Sequence, residues 1–120
     1  VRTVCETGFN AGHSAMIWLT SSAKTKVFSW DIGLRPYHDL AVDYIKRAFG
    51  DRFHLFRGDT RKTLLQENVD EGISCDLVLI DGGYAYGTAW SDLSQVKRLV
   101  SKEWNIIVMN NVYCTRKQCN

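Results

Sequence analysis

Five short apolar runs, the first four each followed by a stretch with helical spacing, constrain this chain more than any other feature. Residues 1–5 hold two valines, and Gly8 and Gly12 break the run that follows. Ala15, Met16, Ile17 and Leu19 predict a first helix over 13–21, and 26–30 predicts a second strand that ends at 31–33. Pro36 suits the first turn of a second helix, where its missing N–H is no loss. Leu40, Ala41, Tyr44, Ile45, Ala48 and Phe49 then recur at three- and four-residue spacing as one apolar face, and Gly50 is placed to stop that helix. A third strand is expected over 53–56 and a short helix over 60–67. Leu77–Ile80 is purely aliphatic, as in a strand buried on both faces. Ala89, Leu93, Val96 and Val100 mark one side of a helix from about Thr88, and Ile106–Met109 is a fifth strand. Such alternation predicts an α/β fold: a doubly wound, mostly parallel sheet with helices on both faces.

Length sets the next limit. A chain of 120 residues holds one domain around one hydrophobic core. Doubly wound domains commonly carry six or seven strands, so residues 1–120 are expected to be a single core truncated after its fifth strand, a fragment of a longer chain. The missing initiator Met agrees with that expectation. With 45% hydrophobic and 23% charged residues the composition is that of a soluble globular protein. A formal charge of +2 with scattered basic residues argues against a nucleic-acid partner. No apolar run nears the roughly 18 residues that span a bilayer, and no secretory signal opens the chain. A cytoplasmic location without membrane contact is therefore the default. None of Cys5, Cys75, Cys114 and Cys119 forms a C-x-x-C pair, which leaves a zinc site without support. Cys5 and Cys75 sit in apolar runs and read as small buried thiols. Cys114 and Cys119 can pair only in an oxidising compartment, and a reduced setting is the default.

The residues that bear chemistry fall at the ends of the expected strands. Glu6-Thr7-Gly8-Phe9-Asn10-Ala11-Gly12-His13-Ser14-Ala15 joins the first strand to the first helix. Glycines at 8 and 12 allow a tight turn and a close backbone approach, and a helix starting near His13 or Ser14 aims free N–H groups at a ligand. Glu6 can accept bonds from a ligand amine or hydroxyl. A dinucleotide site needs G-x-G-x-x-G, yet Asn10 holds the middle glycine's place and no P-loop lysine follows. The loop thus suits a nucleoside without phosphates, unless its glycines only make the turn. Asp31, nineteen positions after Gly12, stands where ribose hydroxyls are held in nucleotide-binding α/β folds. Gly58-Asp59-Thr60 follows the third strand, and Asp59 either meets an adenine amino group or caps the next helix. Asp81-Gly82-Gly83-Tyr84 follows the fourth strand, at the edge where open sheets bind ligands, or forms an Asp–Gly turn. Asn110-Asn111 after the fifth strand can hold a ligand or metal, or make a turn.

In this order the motifs resemble a known family. E-x-G-x-x-x-G-x-S-A (Glu6 to Ala15), the acidic Asp31, Gly58-Asp59, I-D-G (Ile80 to Gly82) and N-N-V (Asn110 to Val112) are arranged as in class I methyltransferases. The resemblance is to small-molecule O-methyltransferases of the catechol and caffeoyl-coenzyme A type, and to families with an I-D-G-x-H-x-Y motif. It runs from Val4 to about Cys114. It implies a Rossmann-like methyltransferase core that binds S-adenosylmethionine and methylates an oxygen of a small-molecule acceptor. By this resemblance Glu6, Gly8 and Ser14 hold the methionine end of the cofactor, Asp31 the ribose hydroxyls, and Gly58 and Asp59 face the adenine. Asn10, Gly12, His13, Thr60 and Asp81 complete the candidate cofactor set. Asp81 and Tyr84 are the candidate catalytic residues, and Asp81, Asn110 and Asn111 match the positions that bind a divalent cation such as magnesium.

Two departures from the pattern bear on activity. Asn110 stands in place of an aspartate, which removes one negative charge and weakens any site for a hard cation. Tyr84 stands where relatives carry a lysine or histidine base, and a phenol, which ordinarily titrates near about 10, is a poor base at neutral pH. A catalytically inactive cofactor-binding or interaction module is therefore the alternative. A third possibility, a short-chain dehydrogenase, rests only on Tyr113-x-x-x-Lys117 and lacks the dinucleotide glycines.

Overall fold

A computed structural model describes residues 1–66 and 72–110. The elements follow the expected alternation: β1 (Thr3–Thr7), α1 (His13–Ser21), β2 (Lys26–Asp31), α2 (His38–Phe49), a 3-10 turn (Gly50–Arg52), β3 (Phe53–Arg57), α3 (Thr60–Thr63), β4 (Leu77–Ile80), α4 (Tyr86–Val96) and β5 (Ile106–Met109). The five strands form one parallel sheet in the order β3-β2-β1-β4-β5. The chain winds outward from β1 to β3, then crosses back to β4 on the other side of β1. A crevice therefore opens between β1 and β4, where successive connections leave in opposite directions.

Side-chain alternation along the strands gives each face of the sheet its own core. Val4, Val27, Phe53 and Leu77 pack with Ala15 and Leu19 of α1 and Ile45 of α2. Cys5, Trp30, Val78 and Ile80 pack on the opposite face with Leu64, Leu99 and Val96 of α4. Burial of each large apolar side chain contributes about 1.5–3 kcal/mol. The chain can therefore build two thin half-cores around one sheet, where the sequence suggested one.

Several local expectations are corrected. Pro36 lies in a turn closed by the His38 N–H on the Arg35 carbonyl, ahead of α2 and not in its first turn. The buried face of α2 is His38, Ala41, Val42, Ile45 and Phe49, while Leu40 and Tyr44 are exposed. Helix α3 stops at Thr63, because the N–H groups of Leu65 and Gln66 turn to carbonyls three residues back. Helix α4 starts two residues before Thr88. Cys5 and Cys75 are both buried, as expected, but they are joined in a disulfide and are not free thiols. Parallel pairing of β1 with β4 brings their Cα atoms to 5.9 Å, within the span a disulfide bridges. Cys114, Cys119 and the 113–117 segment lie outside the described residues.

Candidate functional site

Backbone bonds draw the carboxyl ends of the strands into one edge. The Gly8 N–H donates to the Trp30 carbonyl at 2.8 Å, Gly58 to Asp31 at 2.9 Å, Asp81 to Thr7 at 3.0 Å and Asn110 to Ile80 at 2.9 Å. The loop after β1 turns through three left-handed residues: Gly8 (φ 90°), Asn10 (φ 51°) and Gly12 (φ 81°). At Gly8 a Cβ atom would lie 2.6 Å from the Asp81 carbonyl carbon, so glycine lets the loop rest directly on the end of β4. Phe9 drops beneath the loop, buried, with its ring 5.3 Å from Phe53 and edge-on to His38 at 5.4 Å. That anchor leaves Asn10 on the outer side of the bend.

Asp31 faces this loop. One carboxylate oxygen accepts the Asn10 N–H at 2.8 Å and the other accepts the Gly33 N–H at 2.7 Å. The Tyr37 hydroxyl donates to Asn10 Oδ1 at 2.6 Å, and the buried His38 places Nε2 3.7 Å from Asp31 Oδ1. Asp59 caps α3 through the Arg61 N–H at 3.0 Å and is clasped by the Arg61 guanidinium, which lowers its carboxyl to about 2. The cap expected of Asp59 thus forms, and the residue still faces the cleft. On the other side, Asp81 Oδ1 accepts a 2.8 Å bond from the Asn110 side-chain amide, and Tyr84 is exposed.

These groups surround a cleft of about 640 Å³ at the crossing point, a volume typical of small-molecule sites. Of the residues singled out in the sequence, Gly8, Asn10, Asp31, Gly58, Asp59, Thr60, Asp81 and Tyr84 line it. Glu6, Gly12, His13 and Ser14 do not. Glu6 is fully buried and accepts bonds from the Ser14 hydroxyl at 2.6 Å and the Ser29 hydroxyl at 2.7 Å, so in this structure it braces the loop from behind. Burial pushes its carboxyl up to about 7 against the lowering effect of the two serines, and Asp81 and Asp31 add to the rise. The parallel register that sets Glu6 beside Ser29 creates this contact.

Sequence reasoning missed the apolar side of the cleft. Ile32 and Leu34 line it although 50% and 78% exposed, and Arg35 and Arg61 stand at its rim. The position of Ile32 and Leu34 just after Asp31 was the available signal. Asn111 lies outside the described residues, and among those described no three His, Cys, Asp or Glu side chains are grouped to hold a metal ion.

The fold and cleft define an α/β domain with a cleft beyond the carboxyl ends of its strands. The chain belongs to the methyltransferase domain family, whose model matches residues 5–112. None of the curated proteins matches it in sequence. Among solved structures it is similar to an O-methyltransferase family protein of Burkholderia thailandensis (21% identity, TM-score 0.63), of which it covers 32% with 88% of its own length. It is similar to a candidate caffeoyl-CoA O-methyltransferase of Staphylococcus aureus (15%, TM-score 0.75; 98% of this chain, 58% of that one). A third is the methyltransferase PaMTH1 of Podospora anserina, solved with S-adenosylhomocysteine bound (22%, TM-score 0.68; 92% and 46%). The chain thus spans between a third and three-fifths of the length of these structures. They show that the fold is the α/β, Rossmann-like methyltransferase fold.

Proposed function

We propose that this domain binds S-adenosylmethionine in the crossing-point cleft and transfers its methyl group to an oxygen of a small molecule. The observation that carries the proposal is the Asp31 carboxylate, held by the Asn10 and Gly33 N–H groups at the lip of the glycine loop. A fixed carboxylate there accepts from two neighbouring hydroxyls, the pattern of a ribose. The electrostatics fit as well: Asp31, Asp59 and Asp81 line the cleft against Arg35 and Arg61, with Arg61 paired to Asp59, so Asp31 and Asp81 leave a modest negative balance that suits a cationic ligand better than a phosphate.

In this arrangement Ile32 and Leu34 cover the apolar faces of the adenosine, and Gly58, Asp59 and Thr60 face its base. Gly8 and Asn10 meet the centre of the ligand, while Gly12, His13, Ser14 and Glu6 support that loop from α1 and β1. When bound, S-adenosylmethionine supplies an electrophilic methyl group on a sulfonium. Asp81 and Tyr84 border the acceptor, and the protein's main contribution is to align the two partners and exclude water. Asp81, Asn110 and Asn111 are the residues that would hold a divalent cation, and with only one carboxylate among them such binding is weak. The non-catalytic alternative draws no support from the similar proteins, which are named as methyltransferases.

Titration calorimetry with S-adenosylhomocysteine tests the binding half. Incubation with methyl-labelled S-adenosylmethionine and a panel of small hydroxyl compounds, with and without magnesium, tests the transfer half. Label in an acceptor supports the proposal, and binding with no transfer to any acceptor leaves the module.

A further inference from the structure

Under the cleft lies a carboxyl group that the proposed function does not use. Asp92 of α4 is fully buried; the Thr60 and Thr7 hydroxyls face its carboxyl, but neither its oxygens nor the Thr7 hydroxyl reaches closed hydrogen-bond geometry. Thr7 ends β1 one residue before Gly8, and Thr60 opens α3 directly after Asp59 and lines the cleft. Gly82, which follows Asp81, sits over both acid and hydroxyl: a Cβ there would fall 3.2 Å from Thr7 Oγ1 and 3.3 Å from Asp92 Oδ2. One side chain therefore lies where three cleft-lining loops meet.

We propose that Asp92 is a positioning residue of the cleft: its two carboxyl oxygens link the Thr7 and Thr60 hydroxyls and so fix the loops after β1, β3 and β4 relative to one another. The inference rests on the reading of the cleft as a cofactor site. Its chemical basis is that a carboxyl group has two oxygens, each able to bond a different hydroxyl. Burial raises the carboxyl, the Thr60 and Thr7 hydroxyls act against the rise, and of the charged groups facing it Asp59 raises it while Arg61 lowers it. A buried polar group without closed bonds destabilises a fold. An apolar residue of similar size would suit a purely structural role better.

The test compares Asp92→Leu, which keeps bulk, with Asp92→Asn, which keeps two atoms able to bond the hydroxyls. Thermal melting and S-adenosylhomocysteine titration are measured on both. The Leu variant is expected to melt at or above the wild-type temperature yet bind at least tenfold more weakly, and the Asn variant to bind within about twofold of wild type. Affinity retained by the Leu variant, or lost equally by the Asn variant, overturns the proposal. Should the Leu variant fail to fold, Thr7→Val and Thr60→Val replace it: each is expected to weaken binding, and unchanged affinity in both overturns the proposal. Failure of the wild type itself to bind would remove the cofactor reading first, and this inference with it, so the two failures are told apart.

Discussion

On the β2–β3 side of the crossing point, Asp31 has both oxygens held by backbone N–H groups, Asn10 is held by the Tyr37 hydroxyl, and His38 backs the assembly from the interior. On the β4–β5 side, Asp81 receives one neutral amide and Tyr84 is exposed. The first side is set mainly by backbone geometry, which substitution changes little. The second is set by side chains, so a single replacement can change its chemistry.

The largest expected effect comes from the residue both sides share. Gly8→Val places a branched side chain against the Asp81 carbonyl at a backbone φ of 90°. Overpacking together with the left-handed conformation should cost about 4 kcal/mol or more, seen as loss of a cooperative melt. A variant that melts like wild type would show that the loop does not rest on β4.

Next is the buried Glu6 behind the cofactor side. Its carboxyl in the fold stands at about 7, above its ordinary 4.5, so the folded state holds the proton more tightly than the unfolded chain. The resulting stabilisation is complete below pH 4.5 and is lost as pH rises through 7, by about 3 kcal/mol in all. Urea melts across that window should show the decline in wild type and a flatter profile in Glu6→Gln. Parallel profiles would mean that Glu6 is not the group responsible.

Asp31→Ala tests the preorganised carboxylate itself. S-adenosylhomocysteine affinity should fall about 10- to 100-fold by calorimetry, or roughly 1.4–2.7 kcal/mol; a change under threefold would place ribose recognition elsewhere. The smallest effect belongs to the other side. Asn110→Asp sets a second carboxylate against Asp81, and without metal this should cost about 1 kcal/mol through like-charge contact. Magnesium should then raise the melting temperature of the variant more than that of wild type. Equal responses would show that the Asn110 position does not govern cation binding.

Which parts of this were legible in the sequence follows from how local each signal is. Leu77–Ile80 and Ile106–Met109 were readable to the residue, because unbroken aliphatic runs between polar breaks have few alternative structures. The glycine loop and the carboxylates at strand ends were readable because each follows its strand directly. The opposite burial of Leu40 and Val42 was not, since helical spacing alone admits neighbouring faces and the sheet selects one. Nor was the Cys5–Cys75 pairing, which depends on β4 returning beside β1 across a sequence separation of 70. The bracing of Glu6 by Ser29 and the burial of Asp92 are likewise products of strand order, which no local pattern encodes.

The central claim, that the loop between β1 and α1 and the carboxylate of Asp31 together receive an adenosyl ligand, is tested most directly by amide NMR of the labelled domain titrated with S-adenosylhomocysteine. The N–H groups of Asn10 and Gly33, both bound to Asp31, and those of Gly8 and Gly58 beside them should shift together and saturate at one equivalent. Saturable shifts confined to other parts of the sheet, or none in a folded sample, would contradict it.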